Sequence, residues 1–328
     1  MMRAGFTGRR AFALVVTAAL AAVGYLASLL IGPTGLGVPE GEAGRIVLSE
    51  IRLPRAILGF LVGGSLGLSG AVLQGYLRNP LAEPGLLGVT GGASLGAVIA
   101  IHTGLSATFA VALPLGGLLG AMAATLALLA LAGERSGALT LILAGVAISA
   151  IAAALTALAL NLTSNPFASV EIMFWMMGSL TDRSLVHVYL AAPLILLGCA
   201  MLVGTGRALD ALALGEEAAE NLGADLRRLR FRIVAGITLG VGAATAVAGA
   251  IGFVGLIVPH LLRPLVGHEP RRLLLPSFFG GAFLVLLADV VLRVLSPAGD
   301  LRLGVVTALA GAPFFLWLVL RSRRELAP

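Results

Sequence analysis

The chain reads as an all-α polytopic membrane protein with about ten transmembrane helices. Two observations predict this. Of its 328 residues, 59% are apolar and only 12% are charged, against about 25% charged in an ordinary soluble domain. The apolar residues also fall into ten runs, several near or above the ~18 residues that mark a membrane span. The abundant Gly and Ala suit helices whose backbones must approach closely in lipid.

The runs lie at 11–31, 53–75, 85–103, 111–132, 138–160, 187–206, 231–250, 252–267, 273–295 and 304–320. The first is too long for the ~7–15-residue core of a signal peptide, although Arg9 and Arg10 precede it. The eighth is the weakest, being short and carrying Pro259, His260, Arg263 and Pro264. Together they form one transmembrane domain over 1–328. An outer (periplasmic) loop is expected at 32–52, a surface helix near the outer face at 166–184, and an inner (cytoplasmic) loop of helical spacing at 209–230, broken at Gly223.

Charge sets the orientation. All 22 basic residues are arginines. With both termini in the cytoplasm, 16 of these 22 lie inside, including Arg135 and the C-terminal Arg321, Arg323 and Arg324. That is the positive-inside pattern. Arg45, Arg52, Arg55, Arg183, Arg293 and Arg302 fall outside. With no lysine there is no Walker A motif and no Schiff base. Arginines set between apolar runs point to loop anchoring, not to nucleic acid. Cys199 stands alone, so no disulfide forms within the chain, and the four histidines lack metalloprotease spacing.

An internal repeat is suggested by equal offsets. Arg55, Gly59 and Gly63 match Arg232, Gly236 and Gly240, while Gly70 to Pro80 matches Gly249 to Pro259. The copies would enter from opposite sides, as in inverted-repeat transporters.

The inner loop holds Glu217-Ala218-Ala219, three residues, Gly223, nine residues and Ile233. This resembles the core motif of the inner loop in ABC importer permeases, without its Leu-Pro end. Physically it is a short helix, a Gly-permitted turn and a second amphipathic helix, a rigid knob for a partner's groove.

From about Arg52 to Arg321 the chain is similar to the FecCD family of ABC importer permeases, which includes vitamin B12, iron–siderophore and haem permeases. The likeness rests on Arg52-Leu53-Pro54-Arg55, Gln74, the run Asn79-Pro80-Leu81-Ala82-Glu83-Pro84-Gly85-Leu86-Leu87-Gly88-Val89, Leu143 to Val146 and Trp175 to Gly178. Later matches are Leu214 to Ala219, Gly255 to His260, Leu287-Ala288-Asp289, Gly304 to Thr307 and Gly311 to Pro313.

The resemblance implies a type II ABC importer permease fold and a homodimer. It also implies two ATPase subunits that carry ATP and Mg, a periplasmic substrate-binding protein, and a bacterial inner-membrane location. The chain itself would be no enzyme and bind no cofactor. The cargo would be a large metal chelate, with haem or an iron–siderophore preferred to cobalamin.

The implied docking residues for the binding protein are Arg52, Arg55 and Arg293, whose forked guanidinium groups suit carboxylates. Interfacial anchoring is the other reading of Arg52 and Arg55, and Asp289 lies four residues before Arg293 as an internal partner. The implied coupling residues are Glu216, Glu217, Ala218, Ala219 and Gly223; the implied cytoplasmic gate is Asn79 and Leu81. His260 reads as structural, and Phe174, Trp175, Met176 and Met177 as packing.

The alternative is an ion- or proton-coupled secondary transporter. It would need ionisable groups in the spans, where Asp289 is the main one.

Overall fold

The computed structural model describes residues 2–32, 35–37, 40–109, 111–133, 137–296 and 301–326, with side chains described from residue 11 to 321. Arg135 and residues 33–34 and 38–39 of the outer loop lie outside the described residues, as do the side chains of Arg3, Arg9, Arg10, Arg323 and Arg324.

All ten apolar runs are helical. Helix α1 (Met2–Leu30) leads into a two-residue antiparallel pairing of Ile31–Gly32 with Gly35–Leu36. Then α2 (Gly41–Ile46) runs through π-helical turns at Val47–Arg52 into α3 (Leu53–Tyr76). The result is one 36-residue rod, Gly41–Tyr76. The second half of the expected 32–52 loop is therefore helix. Pro54 reads in the sequence as a helix start, since it lacks an N–H. The wide turns just before it let the helix pass through instead.

After α3 come α4 (Val89–His102), α5 (Leu105–Thr108), α6 (Ala112–Ala132) and α7 (Ala138–Leu162). The expected surface helix is shorter than 166–184: α8 spans Pro166–Met176. Then follow α9 (Leu185–Val203), α10 (Gly206–Leu212), α11 (Glu216–Asn221) and α12 (Leu226–Ile237). Helix α12 passes through a π-helical turn at Thr238–Gly242 into α13 (Ala243–Ala248). Last are α14 (Val254–Val266), α15 (Pro270–Leu295) and α16 (Leu303–Leu326). Among the described residues, eight helices are long and apolar enough to cross a membrane, and Val89–His102 and Val254–Val266 are shorter apolar helices. At ~1.5 Å per residue these two span about 20 Å of a ~30 Å hydrocarbon layer.

The core is the α3 rod and the α12–α13 rod, the two most buried spans. Glycine makes that possible: a Cβ at Gly63 or Gly67 would strike the backbone of α15 at Gly281 or Ser277. Matched contacts give the directions. Along α3, Arg55, Gly59 and Gly63 meet Asp289, Leu286 and Gly281, so α3 and α15 are antiparallel. In α1, Gly24 and then Ser28 meet Leu286 and then Arg293, so α1 and α15 run parallel. Alternate crossing satisfies both.

The repeat is one of elements. A buried rod, an irregular break, a short helix and two long helices occur twice, as α3, α4, α6, α7 and as α12–α13, α14, α15, α16. Both short helices open on a left-handed residue, Gly88 (φ +79°) and Phe253 (φ +67°). Each break is covered by a glycine of the last helix: Gly145 lies on Leu86 and Leu87, and Gly311 on the Phe253 ring. The proline marks read from the sequence do not correspond. Pro80 sits in the turn after α3, whereas Pro259 lies inside α14.

Candidate functional site

The end carrying Arg52 is called outer, after the charge reading. Helix α1 finishes there with backbone carbonyls that have no intrahelical donor. Arg52 Nη1 donates to the carbonyls of Leu29 (2.8 Å), Leu30 (3.2 Å) and Gly37 (2.7 Å). Arg293 Nη1 donates to those of Ser28 (3.0 Å) and Ile31 (2.9 Å), and its Nη2 to Ser28 Oγ (2.7 Å) and Asp289 Oδ2 (2.8 Å). Arg55 grips the same carboxylate, with Nε 3.0 Å from each oxygen and Nη2 2.7 Å from Oδ1. The three arginines thus converge, but inward. Arg52 and Arg293 are only 5% exposed. Helix-end carbonyls and Asp289 take up donors of these three residues, which the resemblance implied as docking residues for a binding protein. The predicted pairing of Arg293 with Asp289 is present.

At the opposite end, Ala219 is fully buried and anchors α11, while Glu216 and Glu217 are exposed and Ala218 is half-buried. Gly223 closes the helix with φ +85°, and the Ala224 N–H donates to the Ala219 carbonyl (2.9 Å). A glycine is the natural residue for that left-handed closure. Asp225 then caps α12 by accepting from the Arg228 N–H (2.9 Å). The result is the expected two-helix knob.

Asn79 is exposed and Leu81 half-buried. The Asn79 side chain accepts from the Leu81 N–H (2.9 Å), fixing the turn that follows α3. Nearby, Arg263 Nη2 donates to Gln74 Oε1 (2.6 Å), and His260 meets Phe314 edge-on.

Glu83 is the residue given no role in the sequence reading. Its Oε1 accepts from the Phe253 N–H (2.7 Å), so the break before α4 is stitched to the break before α14. Burial raises its carboxyl pKa, and the Phe253 hydrogen bond opposes that rise. One signal was available: Glu83 is the only acidic residue between Glu50 and Glu134.

Beside Phe253 lies a groove of about 650 Å³, lined by Met176, Met177, Gly252 and Pro313 among others. The aromatic–Met cluster therefore divides. Trp175 is buried and packs, whereas Met176 and Met177 are exposed at the groove.

These features define a helical membrane protein built from a repeated set of elements around two buried rods, with a charged knob at one end. The chain belongs to the FecCD transport family, which matches residues 10–321. It is 40% identical over 291 residues to the vitamin B12 import system permease protein of Klebsiella pneumoniae subsp. pneumoniae, covering 87% of each chain. It is 41% identical over 296 residues to the cobalamin import system permease protein of Halobacterium salinarum, covering 89% of this chain and 77% of that one. It also resembles a solved structure described as a metal-chelate type ABC transporter in an inward-facing conformation. There the TM-score is 0.86 at 33% identity, over 94% of this chain and 98% of that one.

Proposed function

We propose that this chain is the membrane-spanning permease subunit of an ATP-driven importer that carries a cobalamin-like metal chelate from the periplasm to the cytoplasm. The observation that carries the reading is the similarity along nearly the whole chain to permeases named for vitamin B12. The expected preference for haem or an iron–siderophore yields to cobalamin, because it had no physical basis and the relatives quoted above do not favour it. The chain would work as a homodimer in the bacterial inner membrane, with both termini in the cytoplasm. It would be no enzyme and hold no cofactor; ATP and Mg would sit on two partner ATPases.

The knob of α11, Gly223 and α12 has the form such a role needs, a rigid convex element that passes a push from an ATPase to the buried α12–α13 rod. Asn79 and Leu81 would gate the inner end. A periplasmic binding protein would dock at the outer end around Arg55, the most exposed of the three outer arginines. The secondary-transporter alternative loses its main residue, because Asp289 is held between two arginines.

The test is uptake into proteoliposomes holding the permease, its ATPase and its binding protein. ATP-dependent accumulation of cobalamin is expected, with haem and ferric siderophores excluded. Accumulation driven by a proton gradient without ATP would overturn the reading.

A further inference from the structure

Two turns face each other at the inner end, one joining α9 to α10 and one joining α11 to α12. Between them lies a groove of about 370 Å³. Arg207, Arg228 and Arg232 line it, together with Asp225. Arg228 and Arg232 stand four residues apart on α12, where like charges on one face repel unless an anion lies between them. Asp225 spends one carboxylate oxygen capping α12. Among the described residues, no ion pair or hydrogen bond engages the three guanidinium groups. A concave site with three forked cations and one carboxylate favours a phosphate, whose oxygens match a guanidinium two at a time.

The position of the groove selects the form of that phosphate. Arg207 lies just past α9, and Arg228 and Arg232 lie in the first turns of α12, so the groove sits at the ends of two spans, at headgroup depth. Leu222, in its wall, is 66% exposed, and Val203 and Phe231, beside it in the chain, are 40% and 59% exposed. Cationic pockets beside exposed apolar residues on the cytoplasmic side suit anionic lipid.

We propose that this groove binds the headgroup phosphate of an anionic phospholipid in the cytoplasmic leaflet. Bound there, the lipid rivets α12 to the end of α9 and stiffens the knob from behind. The ATPase would meet the convex side, at Glu216 and Glu217. The proposal rests on the orientation of the chain and is independent of the cargo.

The test uses the full chain purified in neutral detergent, with retained lipid counted by native mass spectrometry. Phosphatidylglycerol is expected to bind at least tenfold more tightly than phosphatidylcholine. Replacing Arg207, Arg228 and Arg232 together by Gln should abolish that preference. Replacing them by Lys should keep most of it, which serves if the Gln variant folds poorly. Arg45→Gln, at the outer end, should change nothing. Equal binding of the two lipids by the unmodified chain, or an unchanged preference in the Gln variant, would overturn the proposal. Displacement of phosphatidylglycerol by equimolar inorganic phosphate would assign the groove to a free anion and overturn the lipid. No lipid preference, together with loss of ATPase association in the Gln variant, would assign it to a protein.

Discussion

The two ends of this molecule use the same residue type in opposite ways. At the outer end, Arg52, Arg55 and Arg293 fold back onto the last carbonyls of α1 and onto Asp289, tying three helices together. At the inner end, Arg207, Arg228 and Arg232 surround an open groove, and no acceptor among the described residues engages their guanidinium groups. The difference lies in what surrounds each cluster. A helix that ends beside an arginine offers carbonyls with partial negative charge, and these claim the guanidinium before any partner can. Helix α12 offers its N-terminal end instead, with N–H groups that repel a cation. An arginine's side of the membrane follows from charge counting, but its role follows from the nearest unsatisfied acceptor.

The comparison breaks most sharply at Arg293. Arg293→Ala leaves Asp289 with one partner and takes from the Ser28 and Ile31 carbonyls the donor that Arg293 supplied. Asp289 keeps Arg55, so the cost comes from several acceptors losing a donor at once, about 1–3 kcal/mol for each one left buried and unsatisfied. Arg228→Ala, on a wet surface, should fall within about 0.5 kcal/mol of the unmodified chain. Thermal unfolding in detergent checks both. Similar shifts for the two variants would erase the distinction between the clusters.

Next in size is Glu83, which joins the two repeats as Asp289 joins the outer helices, but with a backbone N–H as its partner. Glu83→Ala orphans the Phe253 N–H, at about 1–3 kcal/mol. Glu83→Gln keeps an acceptor. Because burial raises the Glu83 carboxyl above its ordinary value of 4.5, its protonated form is favoured in the folded chain. Stability from this group is full below that value and is lost as pH rises through the raised folded pKa. The Gln variant should flatten that decline, seen in melting curves across pH 4–8. A decline of the same slope in the Gln variant would place the titrating group elsewhere.

These two carboxylates mark how far the sequence could be read. The ten helical segments were legible because apolar periodicity and length signal them directly. The pairing of Arg293 with Asp289 was legible because it is local, at four residues' spacing. The capping of α1 by Arg52 and Arg293, and the stitch from Glu83 to Phe253, were not. Each joins residues more than a dozen apart, and no local pattern announces a carbonyl acceptor. The helical second half of the outer loop was missed because a π-helical turn cancels the break that Pro54 signals. Of the offsets that suggested the repeat, Gly59 and Gly63 and Gly236 and Gly240 fall at close approaches on the two rods, whereas the proline offsets do not correspond.

At the knob, Gly223→Val sharpens the comparison from the inner side. Nothing lies within 4 Å of a Cβ there, so the cost is conformational alone, from φ +85°. About 1–2 kcal/mol opposes a branched residue in that region. The fold should survive, since the neighbouring helices are anchored by Ala219 and Leu229. ATPase association and ATP-driven uptake should fall together. Normal uptake with an intact complex would remove the coupling role from this bend.

The smallest effect is expected at Arg55, where the two ways of using arginine meet. Its guanidinium holds Asp289, yet its side chain keeps 11% of its surface in solvent. Asp289 would keep Arg293 if Arg55 were lost, so Arg55→Ala should disturb the fold less than Arg293→Ala. That makes it the clean probe of docking. Reversing Arg52 to Glu would instead set a carboxylate against the α1 carbonyls and damage the protein before docking could be measured. One exposed ion pair contributes roughly 0.2–1 kcal/mol, so affinity for the binding protein should fall less than about tenfold. The fall should shrink as salt rises, because screening weakens the pair in the unmodified complex as well. Arg55→Glu would likewise press a second carboxylate against buried Asp289, so neutral replacement is the variant to use. The measurement is binding-protein affinity for the reconstituted transporter at two ionic strengths. If Arg55→Ala leaves both the affinity and its salt dependence unchanged, the outer arginines serve only to brace the helix ends.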